Sequence, residues 1–171
     1  MSDESSRRDL LEAAALGTGA CVAGLVGWPL AAALVDAPVE ASRDMPFIDL
    51  AAESELREGE PVRAFAQAPR RDGWAVEPRE VGAVWLLRLA GQIRAFSAVC
   101  PHLGCVVDKR PAALGAGFMC PCHSSKFATD GAPLQGPSPR GLDPLPTRVE
   151  SGRVLVQVLQ FAPGTRERKA V

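Results

Sequence analysis

The reactive side chains of this sequence fall in two short segments, Cys100-Pro101-His102-Leu103-Gly104-Cys105 and Cys120-Pro121-Cys122-His123-Ser124-Ser125. Each places a Cys and a His one or two residues apart. The chain has five cysteines and two histidines, and every one of these except Cys21 lies between Cys100 and His123. Such a concentration marks a site rather than composition. Thiolates and neutral imidazoles are metal ligands. Ligands this close in sequence must come from tight loops rather than one helical face, and Pro101, Gly104 and Pro121 suit such loops. Two thiolates on one iron and two imidazoles on another would hold a [2Fe–2S] cluster. The same four side chains would also suit one structural zinc, a reading that leaves Cys105 and Cys122 without a role.

Short strands must position these loops. Phe47 to Leu50 is a candidate strand, and Pro61 to Ala66 alternates Val62, Ala64 and Ala66 with Arg63 and Phe65. Val84 to Leu89 and Ile93 to Val99 flank Ala90-Gly91-Gln92, a compact hairpin signal. Arg153 to Phe161 sets Val154, Val156 and Val158 against Leu155, Gln157 and Leu159, the period of a last strand. No long amphipathic helix pattern follows Pro46. Residues 47–164 therefore predict a mainly β, small antiparallel domain. The charged residues 165–171 predict a frayed tail. A net charge of −1 gives no basis for nucleic-acid binding.

The N-terminus has a different character. Ala13 to Val35 holds no charged residue over 23 positions. As a helix that is about 35 Å, enough for a bilayer core of about 30 Å. Residues 13–35 predict one transmembrane helix, with Trp28-Pro29 marking a kink or an interface. Cys21 reads as a small packing residue within it. Ser6-Arg7-Arg8-Asp9-Leu10-Leu11 looks like a twin-arginine export signal within a cytoplasmic segment, residues 1–12. An uncleaved anchor is the preferred reading. Ala31-Ala32-Ala33 would serve as the cleavage site of a removed signal, and a buried soluble helix would need a polar face that is missing. Residues 36–46 read as a linker, or a hinge for a mobile head.

With these features in place, the sequence resembles the Rieske [2Fe–2S] family. The resemblance rests on Cys100-x-His102, 17 intervening residues, then Cys120-x-x-His123. It implies that Cys100, His102, Cys120 and His123 ligate the cluster. It implies a disulfide between Cys105 and Cys122, as in the quinol-oxidising branch, clamping the two loops. The implied fold is a small antiparallel β-sandwich head with a cluster-binding subdomain, preceded by one transmembrane helix. The implied function is that of the iron–sulfur subunit of a quinol–cytochrome c oxidoreductase, catalytic only with its other subunits. Cytochrome b, a c-type cytochrome and quinol would be its partners. The implied location is a bacterial plasma membrane, single-pass, with the N-terminus cytoplasmic and the cluster domain periplasmic. His102 and His123 would contact quinol, with Leu103 as an apolar lip. An exported molybdenum oxidase of the arsenite-oxidase type and a soluble Rieske ferredoxin are the alternatives; the export signal and the cysteine pair argue against the second.

Two departures qualify the resemblance. Ser125 matches the family serine that donates to a bridging sulfide. Two residues later, high-potential members carry a tyrosine where this chain has Phe127, and Ser124 replaces the usual glycine. Losing a donor near the sulfurs disfavours the reduced cluster, so a lower potential is expected, suited to menaquinol rather than ubiquinol. Gly136-Pro137-Ser138-Pro139-Arg140-Gly141 resembles the family's proline loop, with Pro137 and Pro139 stiffening a third wall.

Overall fold

The structure, a computed structural model, describes residues 3–29, 31, 45–72 and 74–171. The chain forms two units, Met1–Val39 and Glu40–Val171. In the first, helix α1 (Asp3–Val22) continues into a wider π turn over Ala23–Gly27. Pro29 has no N–H, and its ring crowds the carbonyl four residues back, Leu25, inside that wider turn. The helix starts ten residues before the uncharged run, so Arg7 and Arg8 lie within it. Arg7–Gly27 has a mean hydropathy of 1.6, and none of this apolar stretch is buried within the unit. It is long and apolar enough to cross a membrane. Cys21 is exposed on this helix within its own unit. The predicted linker 36–46 and the Ala31-Ala32-Ala33 site fall mostly outside the described residues.

The second unit is built of antiparallel strands. Along the chain come β1 (Phe47–Ala52), β2 (Val62–Asp72), β3 (Ala75–Leu89), β4 (Gln92–Ser97), β5 (Asp108–Lys109) and β6 (Phe118–Met119). There follow β7 (Lys126–Phe127), β8 (Pro133–Gln135), β9 (Pro144–Leu145), β10 (Thr147–Glu150) and β11 (Arg153–Gln157). They form three sheets, ordered β1-β11-β10, β2-β3-β4-β9 and β5-β6-β7-β8. The predicted hairpin is the β3–β4 turn. Ala90 and Gly91 both have positive φ, 50° and 75°, as a two-residue turn of matching twist requires.

The run Val84-Trp85-Leu86-Leu87 explains the layering. It is buried on both faces, so it shows no polar alternation. Val84 and Leu86 face Ala51, Val154 and Val156 of the three-stranded sheet, making the sandwich core. Trp85 and Leu87 face Phe118, Phe127, Cys100 and Cys120 of the small third sheet and its loops. One strand thus supports both the sandwich and the reactive loops. Beyond the β4 pairing, β2 and β3 continue as a two-stranded ribbon ending near the fully exposed Trp74.

The tail departs from expectation. Residues 165–171 do not fray: Phe161 bridges Ala170, Ala162 N–H donates to the Lys169 carbonyl at 2.9 Å, and Val171 N–H donates to the Gln160 carbonyl at 3.1 Å. Charge does not free this tail, because Arg168 reaches the buried carboxylate of Asp143 at 3.3 Å.

Candidate metal centre

The first loop leaves β4 and turns tightly at Cys100–Cys105. Cys100 N–H donates to the Cys105 carbonyl at 2.7 Å, and Gly104 N–H to the Cys100 carbonyl at 2.9 Å. Gly104 has φ +81°, a left-handed conformation that glycine adopts without strain. The second loop joins β6 to β7 and is closed by Cys120 N–H donating to the Ser125 carbonyl at 2.8 Å. Ser124 sits here at φ +56°, which explains why a glycine would suit this position.

The two loops converge. Cys100 and Cys120 are each 1% exposed, with side chains close enough to hydrogen-bond. The rings of His102 and His123 lie 4.8 Å apart at 87°. His102 is half-buried, whereas His123 and Leu103 are exposed. Two sulfurs therefore lie inside and two imidazoles outside. Cys105 and Cys122 are joined by a disulfide linking the loops, and the Cys120 sulfur lies within 4.8 Å of both its sulfurs. Cys105 and Cys122 are thus spoken for, leaving Cys100 and Cys120 as the free thiols of the site.

The electrostatics fit a metal group. Burial pushes the Cys100 thiol up to about 11; the backbone N–H groups of His102 and Leu103 favour the thiolate, while the adjacent Cys120 opposes it. Two adjacent buried thiols can both ionise only if positive charge replaces their protons, which bound iron provides. Among the described residues no buried polar side-chain nitrogen or oxygen lacks a hydrogen-bond partner.

A third loop covers one flank. The Ser125 hydroxyl, fully buried, accepts from Ser138 N–H at 3.2 Å. That leaves its own proton for another acceptor. Gly136 allows this approach: a Cβ there would lie 2.5 Å from Ser125 Cα. Phe127 is fully buried in the same core as Cys100 and Cys120. Pro137 is exposed and Pro139 half-buried on either side of Ser138.

Sequence reasoning missed three supports. Trp85 Nε1–H donates to the Val107 carbonyl at 3.0 Å, fixing the strand after the first loop. The fully buried Val107 supplies that carbonyl. Arg140 is 6% exposed and paired with Asp143. An arginine embedded in a Gly/Pro run, with Asp three residues on, was the available signal for the last.

Residues 47–148 match the model of the family described as the Rieske [2Fe–2S] domain, and residues 1–34 match that of the twin-arginine signal of the ubiquinol–cytochrome c reductase iron–sulfur subunit. The menaquinol:cytochrome c reductase iron–sulfur subunit of Bacillus subtilis is 28% identical over 139 residues, covering 78% of this chain and 80% of that protein. The cytochrome b6-f complex iron–sulfur subunit of Chlorobaculum tepidum is 38% identical over 68 residues, 40% of this chain. Only 36% of that relative's length is spanned. A cyanobacterial plasma-membrane Rieske protein from Synechocystis is 32% identical, with a TM-score of 0.39 over 54% of this chain and 84% of that one.

Proposed function

Because the chain belongs to the Rieske [2Fe–2S] family and carries that cluster, we propose that it is the iron–sulfur subunit of a membrane quinol–cytochrome c oxidoreductase, with Cys100, His102, Cys120 and His123 as ligands. The observation carrying this reading is the 28% identity to the Bacillus menaquinol:cytochrome c reductase subunit along 80% of that protein, beside the match of residues 1–34 to the signal of such a subunit. When bound, the cluster supplies a one-electron acceptor whose potential the two neutral imidazoles raise above that of an all-thiolate cluster.

The chain's own residues divide the remaining work. Cys100 and Cys120 keep their thiolates away from water. His102 and His123 would each give one ring nitrogen to iron and keep the other for exchanging a proton with quinol. Quinol oxidation releases protons with electrons, so that placement couples the two. The exposed Leu103 beside His102 gives a quinol ring an apolar lip. The Ser125 hydroxyl, which accepts from Ser138 N–H, would have its O–H left to hydrogen-bond the cluster. Phe127 contributes no such donor, which lowers the potential and favours menaquinol. The head accepts one electron from quinol and delivers it to a c-type cytochrome; cytochrome b takes the other. The anchor places the N-terminus in the cytoplasm and the cluster domain on the periplasmic face of a bacterial plasma membrane.

Purification of the tagged full chain from detergent-solubilised membranes tests this. Haem b and haem c proteins should co-purify with menaquinol-dependent cytochrome c reduction. A molybdenum-containing partner, or no cytochrome, would overturn it.

A further inference from the structure

Arg140 closes the proline loop and is buried with its carboxylate partner, Asp143, which is 3% exposed. A guanidinium has five N–H groups, and here all five are engaged. Nε–H and one Nη2–H donate to the two oxygens of Asp143, each at 2.8 Å. The other Nη2–H donates to the Ala162 carbonyl at 3.0 Å. The two Nη1–H groups donate to the Thr165 carbonyl and, at 3.2 Å, to its Oγ1. One planar side chain thereby fixes both ends of the segment 162–165.

That segment rests on the first ligand loop. Gly164 N–H donates to the Pro101 carbonyl at 2.8 Å, and Pro101 stands between Cys100 and His102. Gly164 has φ +74°, and a Cβ there would lie 3.7 Å from the His102 carbonyl. Beside it, a cavity of about 330 Å³ is lined by Ser97, Cys100, Pro101, Asp143, Phe161 and Val171, among others. Phe161 and Val171 thus share that cavity with Cys100 and Pro101. On its other side, the Arg140 carbonyl accepts from Ser138 Oγ–H at 2.8 Å, and Ser138 N–H holds Ser125. Arg140 therefore joins the first ligand loop, by way of the tail, to the loop that fixes Ser125.

We propose that Arg140 is a positioning residue for the cluster, acting through a carboxy-terminal strap, residues 162–165, that holds the Cys100–His102 loop in place. This rests on the ligand assignment proposed above. Lysine would keep the charge, but its three donors on one atom cannot span Asp143, Ala162 and Thr165.

The test uses the full chain in detergent, with Arg140→Lys, a chain ending at Pro163, and Arg166→Ala as a control. Two properties are read: the electron paramagnetic resonance spectrum of the reduced protein, and the rate of iron loss to a chelator. Arg140→Lys and the shortened chain should show shifted g-values and iron loss about ten-fold faster, the low end of what outer-shell partners contribute. Arg166→Ala should match the unchanged chain. A shifted spectrum in the charge-conserving variant is something a remote structural role would not produce. If Arg140→Lys does not accumulate, the shortened chain, which keeps the Arg140–Asp143 pair, decides alone. Unchanged spectra and rates in the variants overturn this inference only. No two-iron signal in the unchanged chain overturns the ligand assignment and this inference with it.

Discussion

Replacing Ser125 by alanine should lower the reduction potential without removing the cluster. The hydroxyl is fully buried and accepts one bond from Ser138 N–H at 3.2 Å, so its single proton is available to the cluster. A hydrogen bond to a charged group contributes about 1.5–3 kcal/mol. The oxidised cluster also accepts this bond, but the reduced cluster, more negative, accepts it more strongly. The difference lies between about half the weaker value and the whole of the stronger one. At about 59 mV per tenfold for one electron, and about 1.36 kcal/mol per tenfold, that is a fall of about 30–130 mV. The same substitution strips Ser138 N–H of its acceptor, at a cost of about 1–3 kcal/mol of stability. Protein-film voltammetry of the full chain, with spectroscopic proof of an intact cluster, measures the first effect; thermal bleaching of the visible absorption measures the second. An intact cluster with unchanged potential would refute the role given to Ser125.

Phe127→Tyr should raise the potential, because the ring shares a buried core with Cys100 and Cys120; an unchanged value in a redox titration would remove Phe127 as the cause of a low potential. Replacing both Cys105 and Cys122 by serine should cost about 3 kcal/mol in the chain-entropy account, given a sequence separation of 17; denaturant bleaching at no lower a midpoint would count against the clamp. Ser124→Gly relieves a left-handed φ of 56° and should stabilise the domain by up to about 1 kcal/mol, after the entropy that glycine adds to the unfolded chain. A lower melting temperature would show that the serine side chain contributes there.

The strands that alternate or punctuate strongly were legible in the sequence. Val154 and Val156 announce β11, and Ala90-Gly91 announces the β3–β4 hairpin, because a half-buried strand and a left-handed turn each demand particular residue types. The strands of the third sheet, two or three residues each, were not: β5 to β8 are too short to show a period and exist only because the loops between them converge. The projecting β2–β3 ribbon was missed for another reason, since its exposed residues carry no hydrophobic pattern. Residue types named the candidate ligands, but only the three-dimensional arrangement puts the sulfurs inside and the imidazoles outside. The tail could not be read correctly from charge, because its partner carboxylate, Asp143, is buried far from it in sequence.

The assignment of two histidine ligands is the claim from which the potential, the proton coupling and the quinol contact all derive. The chain contains only His102 and His123, so labelling histidine with nitrogen-15 reports both without background. Electron–nuclear double resonance of the reduced, labelled full chain should show two strongly coupled nitrogens, one lost in each single histidine variant that keeps a cluster. A reduced cluster with one coupled nitrogen or none would contradict the account.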